Sequence, residues 1–504
     1  MKNLDFLSYF LQLFTAENLL WITIGSIVGV VLGAVPGMSA TTGIAIFLPI
    51  TYGLSPTTAL ITLAAIYVNA AYGGNITAVL INTPGSDDSL FMTIDGYPMT
   101  VRGEGLKAIG VTTFSALFGG IVGGLSLLFI APPLAQIAIK FGPVEVFLTT
   151  LMGIIIIIGL VKENMLKGIA SAALGLLCSL IGMDTLTGKS RFNFGIDQIY
   201  DELPLVPVVL GLFAVSQVFI MLTEEQDTIA IDKSSLKGSP FLSLKDHLKL
   251  LATNIRSSII GTIVGIIPAA GTTVAAGISY NLEKKLDKNP KHEFGKGNEK
   301  GLASVSAANN GVVGGSLVPL LTLGIPGNAT SALFLGGLLI HGLGPGIQLF
   351  TVHADKAYGL IFGLLLANLF ILLVGLYGAP IYAKITILSK KILIPIVASL
   401  CVLGAYTFRN LAFDAFLIIF FGLIGYYMIK TDFSMAPFVL AFVLGRQSEI
   451  NFRRALTLYG GHFSEVILKP VPIILIVLNI ILLISPFWEE IIGFFRKEKI
   501  KSEV

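Results

Sequence analysis

Two stretches of this sequence carry amides, hydroxyls and a proline–glycine pair at matching spacing. The first runs from Asn69 through Gly73-Gly74-Asn75 to Pro84-Gly85-Ser86-Asp87-Asp88, and the second from Asn309-Asn310 through Gly314-Gly315 to Pro326-Gly327-Asn328. Around them the chain has no Asp, Glu, Lys, Arg or His: none from Asn18 to Ser86, from Ser257 to Leu282 or from Gly301 to Ile340. An anion entering such a core would meet no basic side chain. It would meet helix N-termini instead, where unpaired backbone N–H groups and about half a positive charge are available. A proline, a glycine and then a capping residue is how such a start is written. The expected substrate-binding set is therefore Ser39, Thr41, Thr42, Asn75, Thr83, Gly85, Ser86, Thr272, Thr273, Gly327 and Asn328. For cation coupling the candidates are Asn69, Asp87, Asn309 and Asn310, with Na+ placed at Asn69, Asn309 and Asn310 because amide carbonyls are hard oxygen ligands. The plainer reading is that these groups only satisfy orphan backbone atoms at helix ends.

Elements that position such groups must lie in a membrane. Of the 504 residues, 54% are hydrophobic and only 12% charged, against about 25% charged in soluble domains. Mean hydropathy is +0.85. About a dozen apolar segments approach the ~20 residues a spanning helix needs. Glycine and proline interrupt several of them, so discontinuous helices or re-entrant hairpins are expected, buried where irregular backbone is tolerated. Cys178 and Cys401 lie in apolar segments, which argues against a disulfide framework. The stretch Gly182–Ser190 has one residue too many for a phosphate loop, so nucleotide drive finds no support here. A channel would show charge rings or a filter, and an enzyme would show clustered His, Glu or Asp within its spans. Neither pattern is present, and no resident cofactor is implied.

The chain reads as an all-α polytopic membrane protein built from two repeats of inverted topology. An interfacial helix occupies 1–17, repeat one 18–223, a polar connector 224–254, repeat two 255–460, and an extra span with a basic tail 461–504. Gly33–Thr41 lines up with Gly265–Thr273, Ala131-Pro132 with Ala379-Pro380, and Pro207–Leu210 with Pro437–Leu440. Gly/Pro-interrupted segments in corresponding places of two halves point to a transporter's binding site. Packing alone could explain the glycines, as in Gly25-x-x-x-Gly29-x-x-x-Gly33. It does not explain the Asn, Thr and Pro-Gly pairs. Six lysines between Glu283 and Lys300, and four basic residues after Phe495, place that loop and the C-terminus in the cytoplasm.

GAVPGMSATTG (33–43), YGGNITAVLINTPGSDD (72–88), DGYPM (95–99) and GIPGNATSA (324–332) resemble the large membrane subunit of the tripartite tricarboxylate transporters, the TctA family. The resemblance covers nearly the whole chain. It implies a secondary transporter in a bacterial inner membrane that imports citrate-like organic anions. It also implies a small membrane subunit and an extracytoplasmic solute-binding protein as partners, and no nucleic acid. The coupling ion is expected to be Na+ rather than H+. A stand-alone carrier of organic anions is the alternative.

Overall fold

The computed structural model describes residues 6–35, 38–86, 89–138, 141–160, 165–184, 186–223, 239–267, 271–288, 291–378, 390–460 and 469–484. Pro36, Gly37, Asp87, Asp88, 268–270, Ala379-Pro380, most of the connector and the basic tail lie outside the described residues. The described chain is helical apart from one short hairpin, and six helices are long and apolar enough to cross a membrane. Six shorter apolar helices accompany them.

The first half opens with α1 (Phe6–Leu11), α2 (Ala16–Gly33), α3 (Ala40–Thr51), α4 (Pro56–Ile81), α5 (Met92–Val101) and α6 (Gly105–Ala138). It continues with α7 (Pro143–Leu160), α8 (Met165–Ser179) and α9 (Leu205–Thr223). The second half holds α10 (Leu244–Ile266), α11 (Gly271–Leu286), α12 (Glu299–Leu323), α13 (Ala329–Ile340) and the short α14 (Ile347–Thr351). After these come α15 (Ala354–Tyr377), α16 (Lys390–Arg409), α17 (Ala412–Lys430), α18 (Met435–Leu458) and α19 (Pro470–Ile484).

Two expectations change. The sequence reading breaks the helix within Thr57–Pro84, yet α4 is continuous through Gly73-Gly74-Asn75 and ends at Asn82, whose φ of 54° is left-handed. Those glycines serve contact, because a Cβ on Gly73 would collide with the Val30 carbonyl of α2. From Thr58 to Leu80 the helix is buried on every side, so its uniform apolarity reflects a core position. The segment Asp87–Lys107, polar in sequence and assigned no span, contains helix α5. Its Asp95 is 1% exposed because loop backbone N–H groups satisfy it.

The chain divides into two compact units, each drawn from both halves of the sequence: Met1–Ile139 with Leu205–Tyr427, and Lys140–Pro204 with Met428–Val504. In the first unit, α2, α4 and α15 start at one end. There Asn18 accepts from Thr58 at 2.8 Å, and Gln12 donates to the Asp355 carbonyl. Helices α6, α10 and α12 start at the other end. Lys107 meets Glu299 at 2.6 Å there, and Phe241, just before α10, packs edge-on against Tyr377 at the close of α15. Also in this unit, α9 packs on α17 so closely that a Cβ on Gly425 would lie 2.6 Å from the Leu212 carbonyl. In the second unit, α7 and α8 pack on α18, where Ile154, Ala172, Ala441 and Leu444 form a core cluster. Each peripheral group thus takes helices from both halves of the sequence.

Candidate functional site

The two broken segments are built alike, and a constant register relates them. Gly85 lies where a Cβ would collide with the Gly33 carbonyl and Gly74, and a Cβ on Gly327 would meet Ser316 at 2.9 Å and the Gly265 carbonyl at 3.1 Å. Thr83 N donates to the Thr77 carbonyl and Ile325 N to the Pro319 carbonyl. Asn82 and Gly324 both take left-handed φ, 54° and 72°. Ser86 N donates to Ser89 Oγ at 3.3 Å, and Asn328 N to Ser331 Oγ at 2.9 Å. Every pair is 242 residues apart except Gly33 and Gly265, which are 232 apart. The Asn-x-x-x-Gly-Gly motif is offset by one from this register, because Gly74 corresponds to Ser316 and Asn69 to Gly311. The second copy has one extra residue between Gly-Gly and Pro-Gly, and the capped turn sets the structural alignment.

Close approach is what the glycines contribute. Cβ atoms on Gly25 and Gly29 would each lie 2.8 Å from a carbonyl of α4, those of Thr62 and Ile66, and Gly33 abuts Ala70. In the second half Gly261 abuts Ala308, and a Cβ on Gly265 would lie 2.7 Å from the Val312 carbonyl. These are parallel helix pairs of the small-residue kind, so the packing reading of the glycines holds alongside any binding role.

The second break touches the helix that leads into the first. Asn328 caps α13 in a capping box with Ser331, and its Nδ2 donates to the Tyr67 hydroxyl of α4 at 2.8 Å. Ser316 Oγ lies 3.1 Å from the same hydroxyl. Thr41 and Thr330 share a 2.7 Å hydrogen bond, which ties the start of α3 to the start of α13. The second break therefore meets α4 at Tyr67, and the first meets it at Gly74. Seven residues of helix, about 10 Å, separate those levels.

Ser39 is the N-cap of α3, yet its side chain makes no capping bond. Thr42 is 3% exposed beside Thr41. Thr83 Oγ1 donates to the Ile81 carbonyl at 3.2 Å. Ser86 is half-buried, 2.8 Å from where a Cβ of Gly74 would sit. Asn75 is fully buried and neither amide atom has a partner. Thr272 and Thr273 stand half-buried in the first turn of α11. Asn69 faces away from both breaks, because its Nδ2 donates to Ser26 Oγ at 3.2 Å and to the Ala65 carbonyl at 2.9 Å. Asn309 and Asn310 are fully buried in α12. Asp87 lies outside the described residues.

Sequence reasoning missed Tyr67, Ser316 and Thr330, which tie the second break to α3 and α4, and Asn368. Tyr67 stands alone in an apolar run, and only the antiparallel approach of α12 brings it to Ser316. Asn368 on α15 is 0% exposed, and its Oδ1 occupies the notch left by Gly120 on α6. Among the described residues, no group of three His, Cys, Asp or Glu side chains is placed to hold a metal ion. Oxygen chemistry in this core is that of neutral amides, hydroxyls and carbonyls.

A family model described as the tripartite tricarboxylate transporter TctA family matches residues 19–440. An uncharacterized 52.8 kDa protein in the TAR-I ttuC' 3' region of Agrobacterium vitis is 34% identical over 457 residues, covering 91% of this chain and 90% of the relative. An uncharacterized protein in the TAR-II ttuC' 3' region of the same organism is 33% identical over 224 residues, 44% of this chain and 92% of its own length. No solved structure matches. A match across this much of the chain, on a polytopic helical fold, decides the assignment: the chain belongs to the TctA family and is the large membrane subunit type of a tripartite tricarboxylate transporter, not an enzyme.

Proposed function

We propose that this subunit imports tricarboxylate-like organic anions across a bacterial inner membrane, coupled to Na+ in preference to H+. In this reading it works with a small membrane subunit and an extracytoplasmic solute-binding protein. The site lies between two inverted repeats. The observation that carries the reading is the junction of Tyr67, Ser316 and Asn328, with Thr41 on Thr330 beside it. It joins the second broken segment to α4, the helix that leads into the first, and the two parent helices, α4 and α12, start at opposite ends of one unit. Anion recognition then falls to the starts of α3 and α13, with Ser39, Thr41, Thr42, Asn75, Thr83, Gly85, Ser86, Thr272, Thr273, Gly327 and Asn328 as the binding set. The cation reading keeps Asn69, Asp87, Asn309 and Asn310 as coupling residues. The lysine-rich loop 283–300 and the C-terminus face the cytoplasm.

The experiment is uptake of labelled citrate by proteoliposomes holding the large and small subunits, with the binding protein added. Asn75→Ala and Ser86→Ala should each lower the initial rate at least tenfold, whereas Lys288→Ala should leave it within twofold. Wild-type rates in both amide and hydroxyl variants would place the anion elsewhere.

A further inference from the structure

The proposed anion and cation residues leave unused a cavity at the lysine-rich end of the first unit. Its volume is about 320 Å³, within the range of sites that hold a bound molecule. The starts of α6, α10 and α12 and the loop after α11 form its wall, where Lys107, Lys249, Lys291, Lys300 and His292 are found. Asp246, Asp287 and Glu299 stand among them. Lys107 meets Glu299 at 2.6 Å, Lys300 meets Asp287 at 3.2 Å and Lys249 meets Asp246 at 3.7 Å. Lys291 is exposed and meets no carboxylate among the described residues. An ammonium group has three N–H donors, so a lysine with one carboxylate partner still has two to offer. Four lysines against three carboxylates leave the wall with a net positive charge. Lys245 and Lys288, next in sequence to Asp246 and Asp287, add two exposed ammonium groups beside it.

Helix α10 is two-faced along this wall. Asn254, Ser258, Gly261 and Gly265 turn inward and are buried. Leu244, Leu248, Ile255, Ile259 and Ile263 are 75%, 62%, 43%, 47% and 55% exposed. Steps of four and seven residues keep these five on one side of the helix. Leu244 and Leu248 alternate in sequence with Asp246, Lys249 and Leu250 of the cavity wall, so the aliphatic stripe begins at the cavity. From Leu248 to Ile259 it rises about 16 Å, at 1.5 Å per residue. That is close to one leaflet of a hydrocarbon core ~30 Å thick. A free anion has no use for the stripe, and an uncharged lipid has none for the lysines. Their continuity suits one molecule with an anionic head and a hydrocarbon tail.

The geometry points to a site for an anionic phospholipid, with its headgroup phosphate in the cavity among Lys107, Lys249, Lys291 and Lys300 and an acyl chain along Leu248, Ile255 and Ile259 of α10. Basic pockets between membrane helices take such headgroups, and ammonium-to-phosphate hydrogen bonds are strengthened by both charges. Bound there, the lipid bridges the starts of α6, α10 and α12. The inference goes beyond the transport reading and takes from it only the orientation, which puts the site in the cytoplasmic leaflet.

The test melts the full-length chain in detergent with one of three additions. These are dioleoylphosphatidylglycerol, dioleoylphosphatidylcholine, which has the same tails and a zwitterionic head, and inorganic phosphate. A ligand that binds only the folded state raises the melting temperature as its concentration rises. Phosphatidylglycerol should raise it by several degrees, and the other two should leave it unchanged. The double variant Lys249→Ala with Lys291→Ala should need about tenfold more phosphatidylglycerol for the same shift. Each single variant should show a smaller loss in the same direction, which covers the case where the double variant does not fold. Lys284→Ala with Lys285→Ala removes two exposed lysines of α11 outside the cavity and should respond as the wild type. An equal loss there would replace the cavity by a diffuse basic surface. A phosphate shift as large as the phosphatidylglycerol shift would assign the cavity to a free anion. Equal shifts from both lipids would reduce the site to hydrocarbon contact, and loss of the response on adding the small membrane subunit would give the stripe to that subunit. Each of these outcomes overturns the lipid site, as does an unaltered response in the double variant. None of the readouts involves uptake, so their failure leaves the transport reading standing, and failed uptake leaves the lipid site standing.

Discussion

At the scale of single residues, the groups that tie the second break to α3 and α4 matter more than those that merely cap helices. Asn328 illustrates both roles. Its Oδ1 accepts from Ser331 N at 2.8 Å and caps α13, while its Nδ2 reaches Tyr67. Replacing Tyr67 by Phe removes only the hydroxyl. The cap survives, and the lost hydrogen bond is worth about 1 kcal/mol. Tyr67→Phe is therefore expected to melt within a few degrees of wild type and yet transport at least fivefold more slowly. Near-normal uptake with a normal melt would show that the junction is structural. Gly33 makes the contrasting case, since a methyl group there has only the Ala70 backbone to push against. Overpacking of this kind costs roughly 1–3 kcal/mol.

At the scale of elements, two polar devices hold segments that hydrophobic burial alone would leave loose. Asp95 of α5 accepts from the backbone N–H groups of Gly295, Gly297 and Asn298 at 2.9, 2.8 and 2.7 Å, and from the Tyr280 hydroxyl at 2.8 Å. Gly295 and Gly297 have φ of 88° and 90°, a conformation that turns their N–H groups inward as an anion nest. Arg102, at the end of α5, donates to the Lys296 and Gly297 carbonyls of the same loop. The element after the first break is thus pinned to the start of α12. Asp95→Asn would present an amide to three donors, and losing a charged hydrogen bond costs about 1.5–3 kcal/mol. Trypsin should then cut within loop 283–300 about tenfold faster or more; an unchanged rate would mean that the nest does not restrain the loop.

In the second unit a hairpin pairs Gly182–Met183 with Ser190–Arg191, in the stretch that fails as a phosphate loop. Asp184 holds it to α18. The Thr187 hydroxyl, then Arg453 and the Leu186 N–H, keep its carboxyl well below the usual carboxylate range. A carboxyl with a depressed folded pKa contributes stability above its unfolded value near 4, and loses it as the pH falls further. Asp184→Asn should melt below wild type at pH 7, with the gap narrowing below about pH 4. A gap that stays constant with pH would assign the effect to packing.

For the whole molecule the governing quantity is the membrane potential. Carrying one negative charge inward against an inside-negative potential costs ~2.3 kcal/mol per 100 mV, so a fully ionised tricarboxylate costs ~7 kcal/mol. Accumulation then needs co-transported cations or a protonated substrate. If uptake of the trianion is electrogenic and inward-positive, more than three cations must enter with it. A Na+ gradient alone should drive accumulation in proteoliposomes, measured as labelled citrate against 22Na+ influx. Uptake that ignores Na+ and follows an imposed pH gradient would assign the coupling to protons.

The sequence by itself determined the class, the recurrence of one motif set in both halves and the stops that precede the two Pro-Gly pairs. Hydropathy, charge-free stretches and Pro-Gly pairs are local properties, and local chemistry suffices to end α4 at Asn82 and α12 at Gly324. It also marked Asn75, Ser86, Gly327 and Asn328 as residues without an ordinary lipid-facing purpose. Tertiary structure alone decided the rest. Gly73-Gly74 reads as a break but is helix, because the close approach of α2 rewards a missing side chain there. The Gly-Gly motif suggests one register between the halves and the capped turns impose another. The pairing of α7 and α8 with α18, and of α16 and α17 with α9, joins segments hundreds of residues apart, for which no local pattern exists. Tyr67 gains its meaning only from the Ser316 and Asn328 that face it. A buried amide and an exposed one are written with the same letter, and only the packing of neighbouring helices decides which of them is left without a partner.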